Sequence, residues 1–338
     1  MSALSVLILD DREGLIGRSS GVERLKQLAD VRVLEGSLDQ LDEAELADVN
    51  VLMAVRERTK LDAATLDRLP SLELILQTGG HAYHLDADHA THRGLPVTLS
   101  RRAFGPRAAV PELTFALAVA SLRHIPAAHQ SMVEGEWSPF VGRTLSGRTL
   151  GILGYGRHGA NVARIAKAYG MKVLVWRRND DDDHPDDDDV DRVSLDDLLA
   201  SSDVVSIHLK LSDESRGLLD AGRLAQMKDG SVLVNTARGA IVDEAALVSA
   251  LQTGPISAAG LDVFENEPLA ADSPLRSLPN VVLTPHIGWT VEEVLIEFAD
   301  IAADQLEQYL AGNLSRAELL DPDVVVAETA RGGLSDPG

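Results

Sequence analysis

Short apolar runs alternate with amphipathic stretches along most of the chain. Residues 5–9 are an apolar run of the kind that makes a buried strand, and 31–34, 51–55 and 72–76 predict further strands. Between the first two, Val22, Leu25 and Leu28 recur at helical spacing. A second alternation begins at Thr149. It predicts strands at 149–153, 172–176, 203–209, 231–235, 258–261 and 281–283. It also predicts a helix over 160–169 closed by Gly170, and another opened at Ser194 with capping-box character. Two longer helices stand apart from these units. One is opened by Pro111 and runs from Glu112 to about Leu122, since proline suits a first helical turn. The other runs from Val291 to about Leu310, and the polar tail after Asp321 is expected to fray.

Strands alternating with helices predict an α/β fold of two doubly wound parallel-sheet domains, Rossmann-like or flavodoxin-like. The first covers about 1–105 and the second 106–290. The last helix returns the chain, with residues 291–338, to the first.

Composition narrows the class. The formal net charge of −22 repels nucleic acid and anionic membranes. No apolar stretch approaches the length of a membrane span, and the N-terminus lacks a basic region before an apolar one, so no secretory leader is expected. The chain has no cysteine, which excludes disulfides, thiolate zinc sites and cysteine nucleophiles and fits a reducing, cytoplasmic setting. The acidic run from Asp180 to Asp189, interrupted by His184 and Pro185, is expected to be a solvated loop.

Gly154-Tyr155-Gly156-Arg157-His158-Gly159 sits between a predicted strand and a predicted helix. That context gives the glycine fingerprint its force. Gly154 makes the tight turn, Gly156 admits a pyrophosphate to the backbone, and Gly159 lets the helix lie close on the sheet. Arg157 and His158 then lie at the helix N-terminus, where free N–H groups favour phosphate. At the end of the next strand an acid would bind the ribose hydroxyls of NAD, but this chain has Arg177 and Arg178. Guanidinium pairs with a 2′-phosphate, so NADP is favoured over NAD. The alternative is that both arginines are solvated or paired with the aspartates that follow.

Three further segments each follow a strand: Asn235-Thr236-Ala237-Arg238-Gly239, residues 261–268, and Thr284-Pro285-His286. In an open α/β sheet such strand ends gather at the ligand. Reduction of a 2-oxo acid needs a fixed cation for the carboxylate, a proton donor for the carbonyl oxygen, and a group that keeps the donor charged and oriented. Arg238, His286 and Glu267 supply these three.

With these segments in place, the chain resembles the D-isomer-specific 2-hydroxyacid dehydrogenases, over nearly its whole length and most strongly at Gly154–Gly159, 234–239, 260–268 and Thr284–His286. The resemblance implies an NAD(P)-dependent oxidoreductase acting on a small 2-oxo or 2-hydroxy acid, usually a homodimer, whose discontinuous substrate domain closes over a cleft. It implies catalytic Arg238, Glu267 and His286, with Asp262 on the nicotinamide carboxamide. It implies that Ser206, Ile207, His208 and Leu209 line the cofactor, together with Asn235, Thr236 and Ala237. Thr78, Gly79, Gly80 and His81 correspond to the substrate-carboxylate loop, with backbone N–H groups as the cradle. The chain departs from the family there: His81 stands where glycine is common and Tyr83 where aspartate is common. Lys210 likewise replaces a usual proline. The resemblance implies no metal, although His81, His84, His89 and His92 have a suggestive spacing. Arg56 and Arg58 end an early strand and either reach a substrate carboxylate or are ion-paired. Trp289 is a pocket wall or a core residue, and His208 a lining residue rather than a second acid. A regulatory C-terminal domain is frequent in biosynthetic phosphoglycerate dehydrogenases, and the chain ends soon after the last helix, which ranks that role low. Formate dehydrogenases pair the histidine with glutamine, which Glu267 argues against. The competing class is a dinucleotide-sensing binding protein or corepressor on the same fold, which would keep the triad but need a partner cleft or long tail.

Overall fold

The computed structural model describes residues 4–178, 190–327 and 330–335, so the acidic run from Asp180 to Asp189 lies outside the described residues. The chain divides into two compact units, residues 1–105 with 291–338, and residues 106–290.

The first unit opens with β1 (Ser5–Ile8), α1 (Ser20–Leu28), β2 (Asp30–Val33), α2 (Glu43–Ala47) and β3 (Val51–Ala54). It continues with α3 (Ala63–Asp67), β4 (Leu74–Gln77), α4 (Ala87–His92) and β5 (Val97–Leu99). The strands form one parallel sheet in the order β2-β1-β3-β4-β5, the flavodoxin-like order. β3 and β4 are buried at every position, which is why their sequences read as unbroken apolar runs. The strand order reverses between β1 and β3, and the loops after these strands flank the point at which open α/β sheets generally take ligands. Arg56 follows β3.

The second unit contains α5 (Gly105–Leu122, all but its first residue), α6 (Ile125–Val133), β6 (Thr149–Leu153), α7 (Arg157–Ala168), β7 (Lys172–Trp176) and β8 (Asp191–Arg192). α8 (Leu195–Ser201), β9 (Val204–Ile207), α9 (Ala221–Ala225), β10 (Ser231–Asn235), α10 (Glu244–Thr253), β11 (Ile256–Leu261) and β12 (Val281–Leu283) complete it. All seven strands are parallel, in the order β12-β11-β10-β9-β6-β7-β8. This is the doubly wound dinucleotide-binding order, with its switch point between β6 and β9. Two apolar clusters cover the sheet. One gathers Leu198, Leu224 and Leu247 from α8, α9 and α10; the other gathers Phe115, Val162 and Ala163 from α5 and α7.

α5 begins earlier than the sequence predicts, so Pro111 lies inside it rather than at its start. An internal proline donates no N–H and frees the carbonyl four residues back. That carbonyl, Arg107 O, accepts instead from Asn161 Nδ2 at 3.0 Å. The Glu297 carboxylate receives the N–H groups of Phe104 and Gly105 at 2.7 and 2.8 Å, which fixes where the helix starts.

α11 (Glu292–Leu310) returns to the first unit. It lies against α1 so closely that a Cβ on Gly21 would stand 2.3 Å from the Ala299 carbonyl carbon, so only glycine fits there. The tail corrects a second expectation. Leu320 N donates to Val97 O, Ala327 N to Gly94 O, Arg331 N to Glu73 Oε2 and Ser335 N to Leu314 O. These segments are tied down rather than frayed, because their polar main chain finds partners on β5, on the loops before β4 and β5, and just past α11. Among the described residues no single helix is long and apolar enough to cross a membrane.

Candidate active site

The glycine loop follows β6. Gly154 takes φ +94, and a Cβ there would meet His208 O at 2.9 Å and Leu209 Cδ2 at 2.8 Å. A Cβ on Gly159 would stand 2.3 Å from Gly154 O. The loop therefore packs against the end of β9 across the switch point. Gly156 is the N-cap of α7 and offers no side chain, so the first N–H groups of that helix stay available to an anion. Arg157 is exposed at this terminus and His158 partly so.

Beyond the loop the two strand-end arginines part company. The Arg177 guanidinium lies 4.9 Å from the centroid of the Tyr155 ring. Its Nε and Nη1 are shielded from solvent and have no hydrogen-bond partner among the described residues. Arg178 is occupied by Ser212 Oγ at 2.9 Å and Glu214 Oε2 at 3.3 Å. His208 shares a hydrogen bond with Ser206 Oγ at 2.8 Å. Burial, with the His158 charge adding to it, pushes its pKa down to about 3, so it is neutral at physiological pH and not poised as an acid.

Arg238, Glu267 and His286 follow β10, β11 and β12 respectively, three neighbouring parallel strands. Asn235 shapes the first of these loops. Its Oδ1 accepts from Ala237 N and its Nδ2 donates to Arg238 O, both at 3.0 Å. Thr236 Oγ1 meets Thr114 Oγ1 of α5 at 3.0 Å. Gly239 is required next, because a Cβ would stand 1.9 Å from the Phe264 carbonyl carbon.

His286 Nδ1 lies 2.6 Å from Glu267 Oε2, and Glu267 Oε1 accepts from Phe264 N at 3.0 Å. Burial pushes the Glu267 carboxyl upward. The hydrogen bond and charge of His286, the Phe264 amide and the Arg238 charge outweigh it and leave the pKa below its ordinary value. The pair is therefore an ionised carboxylate fixing one face of an imidazole, within reach of a guanidinium charge.

His286 has left-handed backbone, φ +56. Asp262 is the residue that holds it there, a role its sequence context did not signal. Its carboxylate is buried and accepts from Thr284 Oγ1 at 2.6 Å, Ile287 N at 2.8 Å and Gly288 N at 2.8 Å, while its carbonyl accepts from His286 N at 2.9 Å. Burial raises the Asp262 carboxyl above its usual range, and these donors with the His286 charge oppose the rise. Trp289, just past this turn, is buried.

Gln77 to His81 lie in the first unit. Gln77 Nε2 donates to Arg56 O, Thr78 O and His81 O at 3.2, 2.9 and 3.3 Å, drawing the loop into a tight bend. Thr78 Oγ1 accepts from Arg56 N at 2.7 Å. Gly79 takes φ +97, and a Cβ there would stand 1.9 Å from Arg56 Nη1. Among the described residues the N–H groups of Gly79 and Gly80 donate to no acceptor. His81 stacks on Tyr83 at 4.6 Å, and its Nδ1 lies 2.9 Å from Glu57 Oε1. The two unusual residues of this loop thus pack on each other. Arg58 is ion-paired, bidentate to Glu13 at 2.7 and 2.8 Å. Burial pushes the His84 pKa down, His89 lies 2.8 Å from Asp67 Oδ1, and His92 bonds the Asp88 carbonyl. Among the described residues no three potential ligands gather to hold a metal ion.

A parallel sheet wound in the dinucleotide order, a glycine turn at its switch point and an imidazole–carboxylate pair on adjacent strand ends define a nicotinamide-dinucleotide-binding α/β protein. Residues 115–288 match the NAD-binding domain of the D-isomer-specific 2-hydroxyacid dehydrogenases. A glyoxylate reductase from Aeropyrum pernix is 39% identical over 264 residues, 75% of this chain and 78% of its own length. A D-3-phosphoglycerate dehydrogenase from Archaeoglobus fulgidus is 38% identical over 262 residues, 77% of this chain, which spans only 49% of that relative's length. An NADPH-dependent glyoxylate/hydroxypyruvate reductase from Sinorhizobium meliloti superposes with a TM-score of 0.80 at 27% identity, covering 96% of this chain and all of that one. The chain belongs to the D-isomer-specific 2-hydroxyacid dehydrogenase family.

Proposed function

We propose that this protein is an NAD(P)-dependent 2-hydroxyacid dehydrogenase that interconverts a small 2-oxo acid and its 2-hydroxy acid. The observation that carries the proposal is the 2.6 Å contact between His286 Nδ1 and Glu267, with the Arg238 charge bearing on the same carboxylate. The residues present fit a dinucleotide. Gly154 and Gly159 let the turn pack tightly at the uncapped start of α7, whose first N–H groups can face a phosphate, and among the described residues Arg177 keeps two shielded nitrogens without partners. A bound nicotinamide supplies or accepts the hydride. Arg238 grips the substrate carboxylate and polarises the neighbouring carbonyl. Glu267 fixes the ring through Nδ1, so Nε2 is the atom that gives a proton to the carbonyl oxygen in reduction and takes it back in oxidation. Asp262 keeps the histidine turn in place, and its remaining acceptor capacity serves the carboxamide. Gly79, Gly80 and His81 offer backbone donors to the substrate carboxylate, which makes the first unit the substrate unit and residues 106–290 the cofactor unit.

The cofactor we favour is NADP. Arg177 is the residue for the 2′-phosphate, whereas Arg178 is drawn to Ser212 and Glu214. Arg177→Ala should weaken NADPH about tenfold while leaving NADH nearly unchanged, since one charge-assisted phosphate contact is lost. The second partner is another copy of this chain. Met132, Val133, Trp137 and Val141 are exposed apolar residues in and just after α6, and a homodimer would cover them. Sedimentation should read a dimer, and Trp137→Glu a monomer. A cytoplasmic setting follows from the same proposal, because these cofactors and acids are metabolites of that compartment. The deciding experiment crosses NADH and NADPH with glyoxylate, hydroxypyruvate, pyruvate and phenylpyruvate. Oxidation of neither cofactor with any acid would end the proposal.

A further inference from the structure

The loop after β3 carries Arg56-Glu57-Arg58 at the crevice of the first unit's sheet, beside the loop of Gly79 and His81. Two arginines there invite a phosphate, whose charge of about −1.5 to −2 at pH 7 calls for a guanidinium facing it. In this chain each arginine already faces a carboxylate. Arg58 is bidentate to Glu13 and also donates to Asp10 O at 2.7 Å. Its side chain is only 13% exposed. The Arg56 guanidinium is packed beneath Gly79, with Nε 3.4 Å from Glu57 Oε2 and Nη2 3.4 Å from His81 Nε2. Glu57 reaches two neighbours in this group, Arg56 with one oxygen and the His81 ring, at 2.9 Å, with the other. The two arginines and two glutamates sum to no net charge, and the glutamate opposes any anion that approaches. Specificity is gained as much by setting a like charge against the wrong ligand as by contacts to the right one.

We infer that Glu57 is a specificity-determining residue that restricts the substrate to 2-oxo and 2-hydroxy acids whose far end is uncharged, excluding phosphorylated ones. The inference rests on the proposed dehydrogenase function and on the Gly79–His81 loop as the substrate-carboxylate loop. It separates this chain from the phosphoglycerate dehydrogenases among its relatives and sides with the glyoxylate and hydroxypyruvate reductases.

D-Glycerate and 3-phospho-D-glycerate differ only in the phosphate, so the ratio of their dissociation constants, read by calorimetry on the whole protein, isolates the effect. The wild type should bind the phosphorylated acid no more tightly than D-glycerate. Glu57→Ser and Glu57→Gln should both shift the ratio toward the phosphorylated acid by about tenfold, the loss of one close like charge. Glu57 is partly exposed, and unchanged melting temperatures would show that both variants fold. A wild type that already prefers the phosphorylated acid, a ratio that neither variant moves, or a gain in Ser without one in Gln would each overturn the inference. Turnover of glyoxylate, hydroxypyruvate, pyruvate and phenylpyruvate with both cofactors is measured alongside. Failure of all of them would defeat the dehydrogenase proposal, while the binding ratio still decides the role of Glu57.

Discussion

His286 and Arg56 stand just past parallel strands in different units, and both hold the left-handed backbone at φ +56 that L-residues seldom adopt. Their supports differ. The His286 turn is clamped by a buried carboxylate with three donors on it. The Arg56 turn rests on neutral groups, the Thr78 hydroxyl and the Gln77 amide, with a glycine making room for the guanidinium. Hydrogen bonds to a charged acceptor are shorter and stronger than neutral ones. The stiffer support belongs to the residue proposed to move a proton, where small displacements are costly. The softer one belongs to the loop proposed to hold the substrate carboxylate, where the stacked His81 and Tyr83 leave the bend intact.

That contrast can be broken at either end. His286→Ala should lower turnover by about a thousandfold while cofactor binding, followed by nucleotide fluorescence, stays intact. Retained activity would remove His286 from the chemistry. Asp262→Ala leaves a hydroxyl and two amides without their acceptor. It should reduce kcat by about a hundredfold and cost about 2 kcal/mol in chemical denaturation. Asp262→Asn, which still accepts through one oxygen, should recover part of both losses. A variant that loses cofactor affinity but keeps kcat would make Asp262 a cofactor ligand instead of the clamp. Gly79→Ala forces a side chain into a positive-φ site occupied by Arg56. It should raise KM about tenfold with a smaller change in kcat, the signature of ground-state binding. Thr78→Val, the gentlest change, leaves Arg56 N without its acceptor and should cost about 1–2 kcal/mol with little effect on kcat. A Thr78 variant as damaging to turnover as the Asp262 one would erase the contrast.

The same division marks what was legible in the chain. The Gly154–Gly159 turn and the strand ends bearing Arg238, Glu267 and His286 are readable because local backbone demands and chemistry coincide in short segments. The clamp by Asp262 was not, since it depends on amides 25 and 26 residues away meeting one carboxylate. The start of α5 was misread for a similar reason. Pro111 looks like a helix opening until Asn161, on another helix, takes up the carbonyl it frees. Arg177 and Arg178 looked equivalent, and only the ring of Tyr155 and the Ser212–Glu214 loop tell them apart. The tail read as frayed because its bonds are main-chain bonds to distant segments, which leave no mark in composition.

The return of α11 to α1 has a consequence for the order in which the chain is made. The second unit is one continuous insert, complete in sequence by residue 290, whereas the first lacks its closing helix until residue 310 has been added. During synthesis, domains fold as units when their residues become available. The insert therefore matures first, while the Gly21 face of α1 waits bare for the Ala299 backbone. Doubling the length of an insert adds only about 0.6 kcal/mol to closing the loop it forms. The late step is thus set by arrival of the helix rather than by the size of what lies between, and pulse-labelled amide exchange should find α1 protected after β6 and β9.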